Sequence, residues 1–113
     1  MTNPQLPNII YPMNIPELTE AMHRFVRSQG WYEPDSPRPQ TLRNLAISLN
    51  LEASEVLECF QWSEKLSDAQ CLEEELADVA LYLLQIASLA GIDLEKAILS
   101  KLERNYHRTW DDE

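Results

Sequence analysis

Two pairs of acidic residues, Glu52 with Glu55 and Glu75 with Asp78, stand three positions apart inside long stretches whose apolar residues recur with a helical period. Side chains three apart on a helix share a face, so each pair projects from one side of its own helix. At about 100° per residue, the apolar arc of the helix carrying Glu52 and Glu55 holds Leu45, Ala46, Leu49, Ala53, Val56, Leu57 and Phe60. Glu52 borders that arc. Glu55 lies on its other side, followed by Leu51 and Trp62, while Glu58 falls further round and reads as solvated. On the helix carrying the other pair, Glu75 lies near Val79, Tyr82 and Ile86 and Asp78 near Leu89, with Glu73 and Glu74 as surface charge. A single acid pair is ordinarily a solvated helix face; two core-facing pairs on successive helices are not. Four carboxylates turned inward suffer desolvation and mutual repulsion, and a divalent cation relieves both.

The rest of the chain reads as helices between clear breaks. Residues 1 to 13 carry Pro4, Pro7 and Pro12 without periodicity and read as an irregular N-terminal arm. A first helix is expected from about Asn14 to Gln29, with Pro16 in its first turn, Glu17 and Glu20 near its start and Gly30 after its end. Pro34, Pro37 and Pro39 make the segment from Trp31 to Gln40 a loop. A second helix follows from about Thr41 to Trp62. Ser67 and Gln70 have capping-box spacing for a third that ends at Gly91, and Asp93 caps a fourth reaching about Arg108. Asp111 to Glu113 read as a frayed acidic tail. The expectation is an all-α four-helix bundle forming a single domain over residues 14 to 110.

The third helix is apolar around most of its circumference after Asp78, more than one small bundle can bury, which points to a homodimer packed through it. On the fourth helix Lys101 and Asn105 project close to Leu94 and Ile98, so a cation and an amide also face inward. The formal net charge of -10 argues against nucleic acid as a partner. A small polyanion stays compatible, because Mg²⁺ bridges it to an acidic site. Cys59 and Cys71 do not amount to a disulfide framework and read as reduced thiols in a cytoplasmic protein, with no leader and no membrane span.

Glu52-Ala-Ser-Glu55 followed by Glu75-Leu-Ala-Asp78 resembles the paired ExxE and ExxD motifs of the MazG-like all-α nucleoside triphosphate pyrophosphatases. Arg43-Asn44-Leu45, Phe60-Gln61-Trp62, Asp78-Val-Ala-Leu-Tyr82 and Gly91-Ile-Asp-Leu with Lys101 and Asn105 are similar to the small MazG-like and dCTP pyrophosphatase branch, over residues 14 to 108. The resemblance implies cleavage of a nucleoside triphosphate, dCTP or another dNTP, to the monophosphate and pyrophosphate. It further implies Mg²⁺, with Mn²⁺ as a substitute, held by Glu52, Glu55, Glu75 and Asp78. It implies a homodimer or homotetramer, with Trp31, Trp62 and Tyr82 lining the base and sugar pocket. Lys101 and Asn105 would meet the phosphates, and Glu55 is the base for water attack on the α-phosphorus. Leu51 stands where a larger branch has a further Glu, and Gln40 where some relatives place a His, which leaves metal number and base preference open.

Two other readings compete. Glu20 and His23 form one Glu-x-x-His step of a di-iron bundle, but such sites need two on different helices. A non-catalytic helical oligomerisation or regulatory module predicts indifference to Mg²⁺ and no turnover.

Overall fold

Each helix begins and ends on local chemistry. The computed structural model describes residues 2–3, 6–10, 12–62, 64 and 69–109. Helix α1 (Ile15–Ser28) starts at Asn14, whose side chain accepts from the Glu17 amide while the Glu17 carboxylate accepts from the Asn14 amide, a reciprocal cap. It stops in a Schellman turn at Gly30, where φ is 73° and the Trp31 and Gly30 amides bond back to Val26 and Arg27. That turn brings Trp31 onto the core side of α1.

Helix α2 (Leu42–Glu58) is capped by Thr41, which accepts from Asn44. It ends four residues before the expected Trp62, because the Phe60 and Gln61 amides tighten onto carbonyls three residues back and wind the chain off the helix. Helix α3 (Ala69–Leu89) closes in a second Schellman turn at Gly91, φ 72°. Helix α4 (Leu94–Tyr106) is capped by Asp93, which accepts from the Lys96 amide. The expected cap at Ser67 and the acidic tail lie outside the described residues.

The arm expected to be irregular instead carries a short antiparallel ladder, β1 (Thr2–Asn3) against β2 (Leu6–Ile10), pairing Thr2 with Ile10 and Asn3 with Leu6. The prolines masked this. The β-branched Ile9 and Ile10, between Pro7 and Pro12, favour extended backbone. The helical body remains all-α.

Helix α3 is the centre of the fold, packed along both α2 and α1. The core is Met22, Val26 and Leu84, with Ile15, Trp31, Tyr32 and Leu94 against it. Helix α4 leaves α3 at 103° and buries no residue. No single helix among the described residues is long and apolar enough to cross a membrane.

Cys59 and Cys71, expected as separate thiols, are joined in a disulfide. The packing of α2 along α3 brings their Cα atoms to 6.1 Å, within ordinary bridging distance, a juxtaposition that spacing along the chain does not reveal.

Much apolar surface stays uncovered in the single chain. Leu51 and Leu57 of α2, Leu76, Leu81 and Leu83 of α3, and Ile98, Leu99 and Leu102 of α4 are all exposed. The radius of gyration, 16.9 Å, exceeds the ~13 Å of a compact domain of about 100 residues. The arc expected on α2 is therefore only partly covered: Leu45 is buried, whereas Leu57 is 72 % exposed.

Candidate active site

Where α2 and α3 lie side by side, their acid pairs face each other. One carboxylate oxygen from each of Glu52, Glu75 and Asp78 falls within 4.8 Å of the others. Glu52 Oε2 and Glu75 Oε2 are buried and have no hydrogen-bond partner. Burial pushes the Glu52 carboxyl above the usual carboxylate range, helped by Glu55 and Asp78. A hydrogen bond with Glu55, then burial, then the charges of Glu55, Asp78 and Glu52 push Glu75 up to about 7. Clustered like charges raise one another's pKa in this way when nothing neutralises them. Partnerless buried oxygens from an all-oxygen donor set fit a hard divalent cation. Glu55 stands beside this triad, close enough to bond Glu75 but outside the tight cluster.

Asp78 also opens onto a cavity of about 670 Å³, the size of a small-molecule site. Met22, Val26 and Leu45 give it an apolar floor, and Trp31 and Tyr82 are its aromatic walls. Trp31 is braced by Phe25, edge-on with ring centres 5.7 Å apart, and by the Arg38 guanidinium 5.3 Å from its ring centre. Asp78, Tyr82 and Gln85 follow one another along one face of α3, four and three residues apart.

Behind the cavity runs a neutral hydrogen-bonded chain. The Gln40 Nε2 donates to the Arg38 carbonyl at 2.7 Å, and Gln85 Nε2 donates to Gln40 Oε1 at 2.8 Å and to the Tyr32 hydroxyl at 3.2 Å. Tyr32 lies 2.6 Å from His23 Nδ1, and His23 Nε2 lies 2.7 Å from Ser88 Oγ. The Tyr32 hydroxyl accepts from Gln85, and the neutral imidazole bridges it to Ser88, donating at one ring nitrogen and accepting at the other. Burial, then the Arg27 charge, hold His23 below its ordinary pKa, as that neutral form requires. Burial holds the Tyr32 hydroxyl above its own.

The expected site residues thus divide. Glu52, Glu75, Asp78, Trp31 and Tyr82 come together around the cluster and cavity. Trp62 does not join them; it sits in the turn after α2 and is 91 % exposed. Lys101 is exposed and Asn105 half-buried on α4, neither lining the cavity. Glu20 pairs with Arg27 at 2.7 Å and His23 is engaged with Tyr32 and Ser88, so the di-iron step is not presented. Sequence reasoning noted Gln40 only as a departure from relatives and missed Tyr32 and Gln85. The available signal was the interruption of an otherwise apolar helix by Tyr82, Gln85 and Ser88.

Comparison with known proteins places the chain in a family. The model of the MazG-like family matches residues 47–113. The dCTP pyrophosphatase 1 of Rattus norvegicus is 33 % identical over 96 residues, covering 74 % of this chain and 52 % of its own. The Homo sapiens protein of that name is 32 % identical over 93 residues with the same coverages. The chain therefore spans about half the length of these relatives. A dATP/dGTP diphosphohydrolase of Salmonella phage PMBT28 is 35 % identical over 82 residues, 72 % of this chain and 24 % of its own. Among solved structures, a pyrophosphatase from Archaeoglobus fulgidus is 33 % identical with a TM-score of 0.69, covering 88 % of this chain and 96 % of that one.

Proposed function

Since this chain belongs to the MazG-like family, we propose that it is a Mg²⁺-dependent nucleoside triphosphate pyrophosphohydrolase acting on a deoxynucleotide. The observation that carries the reading is the juxtaposition of the carboxylate triad with the aromatic cavity through Asp78, which belongs to both. The relatives named as dCTP pyrophosphatase and dATP/dGTP diphosphohydrolase support the substrate class.

Glu52, Glu75 and Asp78 would hold the cation, with Glu55 completing the set. Bound there, Mg²⁺ offsets the carboxylate repulsion and the charge that develops on the phosphate oxygens. Glu55 accepts a proton from the attacking water as its oxygen bonds to the α-phosphorus. The bond from that phosphorus to the α-β bridging oxygen breaks, and pyrophosphate leaves the nucleoside monophosphate behind. Trp31 and Tyr82 enclose the base and sugar and exclude water from them.

Trp62, Lys101 and Asn105 join the substrate in this reading when a second copy covers the exposed faces of α2, α3 and α4. The uncovered leucines and isoleucines of those helices support a homodimer or homotetramer.

Incubation with each common dNTP and NTP in Mg²⁺ tests the reaction. Pyrophosphate is the expected product. Orthophosphate alone, or no turnover of any triphosphate, would overturn the assignment.

A further inference from the structure

Gln85 is 3 % exposed, yet it borders the cavity from the most apolar helix of the protein. Burying an amide there is costly unless its polar ends are used. Both Nε2 hydrogens are used, one on Gln40 and one on Tyr32. Among the described residues, Oε1 has no partner.

The direction of this amide is set from outside the cavity. The Arg38 carbonyl can only accept, so the Gln40 amide must turn its Nε2 toward it and its Oε1 toward Gln85. Gln85 must then turn its Nε2 toward Gln40. Turning either amide round would set oxygen against oxygen at the Gln40 end. The chain therefore transmits the polarity of one backbone carbonyl to the cavity wall and leaves an acceptor there.

Position says what meets that acceptor. Gln85 stands seven residues beyond Asp78 on α3, about 10 Å along the helix axis, with Tyr82 between them on the same face. A nucleotide whose phosphates lie at the carboxylates extends its base toward Gln85.

We propose that Gln85 is a specificity-determining residue whose Oε1 accepts from the exocyclic amino group of the base, with Gln40 as its positioning residue. The substrate class is then a triphosphate of an amino base, cytosine or adenine, over its carbonyl counterpart. A carbonyl at that place would face the Gln85 oxygen and leave two acceptors unpaired. This rests on the reading of the cavity as a nucleotide site, but not on hydrolysis.

The test is titration calorimetry in Mg²⁺ with uncleavable α,β-imido analogues of two pairs, dCTP with dUTP and dATP with dITP. Each pair exchanges an amino group for a carbonyl at one position. For at least one pair the amino member should bind more tightly by a factor on the order of 10 to 100, the effect of one buried unpaired group. Which pair responds identifies the base. In Gln85→Met the ratio should fall to within about threefold. Gln40→Leu, a loop substitution that leaves Gln85 in place, should collapse the ratio in the same way, because the freed amide can present either end. A general structural defect would weaken both members of a pair and preserve their ratio. A wild-type ratio near one for both pairs, no binding of any analogue, or a preference that survives both substitutions overturns the inference. The pyrophosphate assay is separate: analogue discrimination without turnover would remove the hydrolase reading and keep this one.

Discussion

Two polar regions border the same cavity and are built on opposite principles. In the chain from Arg38 through Gln40, Gln85, Tyr32 and His23 to Ser88, a neutral donor meets an acceptor at every link, with the Gln85 amide donating both ways and only its Oε1 left over. In the cluster of Glu52, Glu75 and Asp78, acceptors meet acceptors and two buried oxygens have nothing to bond. A satisfied network rigidifies the fold, while an unsatisfied one costs stability until a ligand completes it. In the proposed function, the contrast separates what the protein brings prearranged, the wall facing the base, from what it completes on binding, the end facing the phosphates.

The sharpest way to break the contrast is at its reactive end. Glu55→Gln should lower pyrophosphate release by about 100-fold or more while leaving the helical circular dichroism unchanged. Retained turnover would remove Glu55 from the chemistry. Next in size is the response to metal. Mg²⁺ at about a hundredfold over its Kd should add about 2.7 kcal/mol to the unfolding free energy of the wild type. Glu75→Gln should raise the melting temperature of the metal-free protein by relieving repulsion, and should blunt the Mg²⁺ response. A flat melting curve on adding Mg²⁺ would dissolve the distinction between the two regions.

The opposite sign is expected in the satisfied region. Tyr32→Phe strands His23 Nδ1 and one hydrogen of Gln85, and should lower stability by ~1–2 kcal/mol with or without Mg²⁺. Smallest is the pH dependence, which also runs in opposite directions. The Glu75 carboxyl, raised to about 7 from 4.5, contributes stability below 4.5 and loses it as pH rises through about 7 in the metal-free protein. His23, held below 6.5, contributes above 6.5 and loses that contribution as pH falls further. Thermal melts across pH 4 to 8 should therefore show an alkaline loss that Glu75→Gln removes and an acid loss that it leaves.

The parts of this protein that were legible in the chain were those decided within a few residues. Asn14, Thr41 and Asp93 cap helices because their side chains reach an amide three residues on. Gly30 and Gly91 end helices because they adopt positive φ. The spacing of Glu52 with Glu55 and of Glu75 with Asp78 also belongs to single helices. The end of α2 was misjudged because the periodic pattern continues through Phe60 and Trp62 while the chain already turns toward α3.

What lay beyond reach were contacts between residues far apart in sequence. That Gln85 meets Gln40 and Tyr32, 45 and 53 residues away, that Cys59 meets Cys71, and that Trp62 stands in solvent all depend on how α1, α2 and their loops dock on α3. By itself the sequence determined the helices, the ends set by local caps and glycines, and which acids share a face, because backbone hydrogen bonding and 3.6-residue periodicity act locally. Only the tertiary structure decided which faces meet, and with them the direction of the Gln85 amide and the closeness of the carboxylates, because those depend on packing among elements with no common period.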